Sequence, residues 1–110
     1  MKKIFICSPL RGDQRQNEIN AELYCKEVVK AGHIPFAPHL FFTRFLDDNI
    51  LEERYIGIAG GMEFLRYCDE VWVYGDSLSE GMKAEIRYAV KSGIKLFNMS
   101  KIQHIEWKEI

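Results

Sequence analysis

Apolar residues along the chain follow two rhythms. The run KIFIC (Lys3–Cys7) is nearly unbroken and suits a strand buried on both faces. Ser8-Pro9-Leu10-Arg11-Gly12-Asp13 breaks it. From about Gln16 to Ala31 the spacing turns helical. Ala21, Cys25, Val28 and Val29 share one face, Ile19 and Leu23 the opposite one, and Gly32 stops the helix. His33–Pro38 predicts a short second strand limited by its prolines. His39–Asp48 reads as a loop dense in aromatics, with Phe41, Phe42 and Phe45. Leu51, Tyr55, Ile58, Met62 and Leu65 predict a second amphipathic helix. Gly60-Gly61 interrupts it at about 1 kcal/mol per glycine relative to alanine, which argues for a kink or a close approach by a backbone or a ligand. EVWVYG (Glu70–Gly75) is a third strand. Ser77 and Glu80 have capping-box spacing, so a helix starts there, with Met82, Ile86, Ala89, Val90 and Gly93 on its inner face. Ile94–Asn98 is a fourth strand. The tail KIQHIEWKEI is a last edge strand or a docked segment. The alternation predicts an α/β fold. It is a small doubly wound, Rossmann-like (flavodoxin-like) parallel sheet of four to five strands flanked by helices, one domain over residues 1–110.

Composition narrows the partners. Lys+Arg is 15 against Asp+Glu 16, a net charge of -1. No basic surplus is present for a nucleic-acid polymer, and no basic face for a membrane surface. No apolar run approaches the ~20 residues of a membrane span. The N-terminus is basic then apolar, but charge returns at Arg11 and no small-residue cleavage site follows, so a strand is expected there and not a signal peptide. Cys7, Cys25 and Cys68 form no CxxC. That excludes a disulfide framework and a zinc site of ordinary spacing, and fits a reducing, cytoplasmic setting. His33, His39 and His104 have no metal-site spacing. Neither GxGxxG nor a Walker loop occurs, so no dinucleotide or other cofactor is expected.

In sheets of this kind ligands bind outside the carboxyl ends of the strands. Three polar segments belong there: Ser8–Asp13, Pro38–Asp48 and Asp76–Gly81. Ser8, Arg11 and the Gly12 amide make either an anion site or a capped turn with a solvated arginine. Glu85 lies about 60° from Met82 on a helical wheel and one turn before Ala89, so it borders the buried stripe. A carboxylate so placed is either functional or paired with a nearby Arg or Tyr. His39 contacts a base or sugar, or is structural. Asp47 and Asp48 bind a sugar hydroxyl or cap the following helix. The Phe41/Phe42/Phe45 cluster stacks on a base, forms a lid or makes a subunit contact. Asp69 orders a turn, Trp72 is core, and Cys7 and Cys68 are buried inert thiols.

FICSPLRGD, Asn17, GHIPFAPHL, FLDDN, CDEVWVYGD and SEGMKAEIRYA together resemble the nucleoside 2-deoxyribosyltransferase-like superfamily, and most its small bacterial and phage members of unassigned function. The resemblance covers nearly the whole chain. In that superfamily the helix after the third strand carries a catalytic glutamate in a G-x-x-x-E-x-x-x-A context, matched here by Gly81 to Ala89. The resemblance therefore implies Glu85 as nucleophile on C1′ of a 2′-deoxyribonucleoside, forming a glycosyl ester resolved by water or another base. Six residues before the glutamate, members acting on 5′-monophosphates have a serine, and Ser79 stands here. A phosphate held by Ser8, Arg11, Gly12 and Ser79 is implied, with His39, Asp48, Asp76, Gly81 and Met82 lining the rest of the substrate site.

One position departs from the pattern. The aspartate expected eight residues before Asp69 is Gly61, and Asp76, Asp48 and Glu63 are the candidates to replace it as proton donor. The superfamily's sites are often completed by a neighbour's C-terminal segment, so the resemblance implies a homodimer or homotetramer with the tail, Trp107 included, reaching across. The expected function is an N-glycosidase or deoxyribosyltransferase on a 2′-deoxynucleoside 5′-monophosphate. Its competitors are a non-catalytic nucleotide-sensing or sequestering module and a purely structural adaptor.

Overall fold

The computed structural model describes residues 1–110. Four parallel strands, β1 (Lys3–Cys7), β2 (Ile34–Phe36), β3 (Glu70–Val73) and β4 (Lys95–Asn98), form one sheet in the order β2-β1-β3-β4. In β1, Ile4, Phe5, Ile6 and Cys7 are all buried, as a central parallel strand requires. Ile4 and Ile6 meet Ala21 and Val28 of α1 (Gln14–Lys30) on one face. Phe5 and Cys7 face the other way, with Leu65 of α3 (Leu51–Leu65) and Met82, Ile86 and Ala89 of α4 (Glu80–Ser92). The sheet is thus covered on both faces, the doubly wound α/β arrangement. No helix is long and apolar enough to cross a membrane.

Several local expectations are corrected. The helix α1 begins at Gln14, capped by Asp13, whose carboxylate accepts from Gln16 N at 3.2 Å. Val29 lies outside the inner stripe and is exposed. The segment 39–48 is largely helical. Pro38 at the first position of α2 (Pro38–Phe41) supplies a preset φ, and a 3-10 turn over Phe42–Arg44 follows. The α4 cap is Ser79, not Ser77; its Oγ accepts from Met82 N at 3.2 Å. Trp72 is half-buried and donates its indole N–H to Glu70 at 3.0 Å. Asp69 is exposed, yet it does order a junction, its Oδ2 accepting from Lys3 N at 2.8 Å. Cys68 is only half-buried.

The largest difference is in α3. It runs unbroken through Gly60-Gly61. The glycines answer to a close approach instead of a kink: a Cβ at position 60 would stand 2.5 Å from Phe42 Cζ. Because the glycine side of α3 is what packs, the larger side chains turn outward. Leu51, Tyr55 and Ile58, predicted as core, are exposed, while Gly61 and Leu65 are buried. No fifth strand forms. The tail ends in a 3-10 turn, Trp107–Glu109, and Ile105, Trp107 and Ile110 pack on the core beside α4 of the same chain. Arg87 Nε donates to Ile110 O at 3.0 Å.

Candidate active site

The strand order reverses between β1 and β3, and a crevice opens there beyond the carboxyl ends. It holds a cavity of about 550 Å³. The β1–α1 loop contributes Ser8 and Arg11, α2 contributes His39, and the stretch Ser79–Met82 opens α4 along one wall. Gly57, Ile58, Gly61 and Met62 of α3 form the facing wall.

Glu85 sits one turn into α4, half-buried, and lines this cavity. Burial pushes its carboxyl up to about 8, opposed by a hydrogen bond from the Cys7 thiol. Cys7 is wholly buried beneath it, with Sγ 3.7 Å from Met82 O. Burial, and then the nearby Glu85 charge, hold that thiol well above its ordinary range, so it remains an S–H donor.

His39 Nε2 lies 2.7 Å from Ser8 O. Burial lowers the imidazole's pKa against the Ser8 carbonyl and the charges of Asp48 and Glu18. The neutral ring carries its proton on Nε2 and donates it to that carbonyl, which ties α2 to the end of β1. Asp48 accepts from Arg11 Nη1 at 2.9 Å, and its carbonyl from the same nitrogen at 3.3 Å. Asn17 Nδ2 donates to Leu10 O at 2.9 Å and to Arg11 O at 3.2 Å, which fixes the β1–α1 loop. The Ser79 oxygen is used as a cap, but its O–H remains free to donate to a ligand. The first N–H groups of α4 face outward with the positive end of the helix dipole.

The structure therefore gathers Ser8, Arg11, His39, Asp48, Ser79, Gly81, Met82 and Glu85 around one cavity. Gly12 and Asp76 stay outside it. Gly12 serves the turn, at φ 99°. Asp76 is exposed and lies 3.7 Å from Lys101 Nζ. Glu63, a candidate proton donor, is also exposed and pairs with Arg66 at 3.3 Å. Of the three replacements considered for position 61, Asp48 alone reaches the cavity. Thr43, Glu53, Arg54 and Gly57 also line it and do not stand out from the sequence. Two signals point to them: Gly57 and Gly61 are one turn apart, and Arg54 lies within the apolar stripe of Leu51 and Ile58. No three His, Cys, Asp or Glu side chains converge to hold a metal ion.

Residues 2–99 match the family described as Domain of unknown function (DUF7768). The chain belongs to that family. No curated protein matches it. Among solved structures, the 2-deoxyribosyltransferase of Bacillus psychrosaccharolyticus superposes with a TM-score of 0.69 at 20% identity, over 94% of this chain and 76% of that one. A 2-desoxiribosyltransferase from Leishmania mexicana gives 0.66 at 18% identity, over 99% and 71%. These likenesses show a nucleoside 2-deoxyribosyltransferase-like fold for this member of the family.

Proposed function

We propose that the protein is an N-glycosidase or deoxyribosyltransferase that cleaves the N-glycosidic bond of a 2′-deoxynucleoside 5′-monophosphate, with Glu85 as nucleophile. The observation that carries this reading is Glu85 itself: a carboxyl in the wall of the switch-point cavity, on a fold shared with two 2-deoxyribosyltransferases. In its ionised form Glu85 attacks C1′. The C1′–N bond breaks, its electron pair leaves with the base, and a glycosyl ester remains. Water or a second base then attacks C1′ and releases the glutamate. The departing base takes its proton from water in the open cavity, because Asp48, the one replacement candidate that reaches it, is engaged as the carboxylate partner of Arg11. The Ser8 and Ser79 hydroxyls serve the phosphate side of the ligand, Arg11 holds Asp48 in place, and His39, Gly81 and Met82 line the remainder.

The competing reading is a nucleotide-binding module without turnover. It draws on Gly61, which puts no carboxyl where the resemblance expects one, and on a Glu85 that holds its proton at neutral pH. Each 2′-deoxynucleoside 5′-monophosphate is incubated with wild type and Glu85→Ala, and the products are separated by chromatography. Free base from the wild type alone supports the glycosidase. Binding with no base released from any of the nucleotides sinks it in favour of the module.

We further propose a homo-oligomer, a dimer or tetramer, with the outward face of α3 against a second copy. The C-terminal segment packs beside α4 of its own chain.

A further inference from the structure

Two polar groups of the cavity have no partner within the protein. The Ser8 hydroxyl, on a residue 2% exposed, forms no hydrogen bond. Arg54, half-buried on the first turns of α3, forms no ion pair and no side-chain hydrogen bond, although it lines the same space. The other cavity guanidinium is committed: Arg11 holds Asp48 at 2.9 Å. The carboxylate next to Arg54 in sequence is also engaged, since Glu53 Oε1 accepts from Asp47 N at 3.0 Å. A half-buried guanidinium has lost part of its hydration, and here no group of the protein compensates for it. Its five N–H donors form a fork that matches an oxyanion in bidentate fashion.

We propose that Arg54 is the anion-reading residue of this cavity and takes the phosphoryl group of the ligand, while Arg11 stays paired with Asp48. The Ser8 hydroxyl is the second unsatisfied group that the same ligand serves. This assigns the specificity for a nucleotide over a nucleoside to a side chain of α3, outside the β1–α1 loop. For the ligand's identity the proposal rests on the function proposed above; the anion subsite itself does not depend on turnover.

The test compares wild type, Arg54→Ala, Arg54→Lys and Arg11→Ala. Melting temperatures are measured in inorganic phosphate and in sodium chloride of equal ionic strength. Calorimetric titrations with 2′-deoxynucleoside 5′-monophosphates and the matching nucleosides follow. Phosphate is expected to raise the wild-type Tm. Arg54→Ala loses that rise, Arg54→Lys recovers part of it, and Arg11→Ala keeps most of it. For nucleotides, Arg54→Ala weakens Kd ten-fold or more while nucleoside binding is unchanged. The proposal is overturned if phosphate fails to stabilise wild type, stabilises Arg54→Ala equally, or loses its effect in Arg11→Ala alone. Phosphate protection through Arg54 with no nucleotide bound leaves the subsite standing and removes the nucleotide reading instead.

Discussion

Glu85 shows how one residue's surroundings set both reactivity and stability. As a nucleophile it works only when ionised, and burial holds its pKa near about 8. Base release is therefore expected to climb with pH through about 8 and to level off above it, in a kcat/KM profile. The raised pKa also fixes a sign for stability. The folded-state pKa lies above the unfolded value of roughly 4.3. The folded protein thus keeps a proton that the unfolded chain releases, and its stabilising effect is full below that lower value and lost as pH rises through the upper one. Glu85→Gln removes this liability. The variant should melt with wild type at pH 4 and above it at pH 9. A tenfold difference in proton affinity between the folded and unfolded chains corresponds to about 1.4 kcal/mol. Because the cavity admits solvent to the carboxyl, the gap at pH 9 should be on the order of 1–3 kcal/mol. Equal melting temperatures at both pH values would show a carboxyl with an ordinary pKa.

At the scale of the element, α3 decides the shape of the site. Gly60 and Gly61 are adjacent but not equivalent. A Cβ at 60 meets the Phe42 ring at 2.5 and 2.8 Å, and that ring is wedged among Phe41, Phe45 and Phe64. Gly60→Ala should cost about 1–3 kcal/mol in chemical denaturation, relieved by adding Phe42→Leu. At 61 the nearest atom would be Pro38 Cβ at 3.5 Å, an ordinary contact. Gly61→Ala is accordingly expected to be neutral or stabilising by up to about 1 kcal/mol. Gly61→Asp puts its Cβ in the same ordinary contact and adds a carboxyl at the position where the superfamily resemblance expects one. If the wild type lacks an efficient acid for the leaving base, base release should rise about 10²-fold or more, the usual scale of general acid catalysis. A variant no faster than wild type would show that another group already supplies the proton. The element also marks where sequence reading works. The strands, α1 and α4 follow from runs and spacings because burial sets their pattern, and Glu85 is visible as a carboxylate on the edge of a buried stripe. In α3 the pattern misleads. Its close packing runs through glycines, which leave no hydrophobic signature, so Leu51, Tyr55 and Ile58 look like core. The aromatic stretch after β2 looks like loop because its helical turns are too short to show a period. Arg54 does not stand out because a single charge on a helix is usually solvated.

For the whole molecule, the outward side of α3 is the feature a monomer does not explain. Tyr55 is 61% exposed and Ile56 57%, beside Leu51 at 60%. Exposed apolar side chains gathered along one helix mark an interaction surface. Here one side packs on Phe42 and Pro38, another walls the cavity, and the remainder meets solvent. A two-fold contact of α3 with its copy would bury that remainder with a single self-complementary patch. Because Ile58 lies on both the outward stripe and the cavity wall, the contact would border the site itself. Light scattering after size-exclusion chromatography should give a dimer or tetramer for wild type, and a monomer for Ile56→Glu and for Tyr55→Glu, neither of which lines the cavity. A wild type that elutes as a monomer at micromolar concentration rejects the contact. Where the charged variants dissociate and remain folded, base release per chain separates two architectures. Undiminished release means that each chain's cavity is complete. Lost release means that the second copy closes the α3 side of the site, and that assembly and catalysis share one helix.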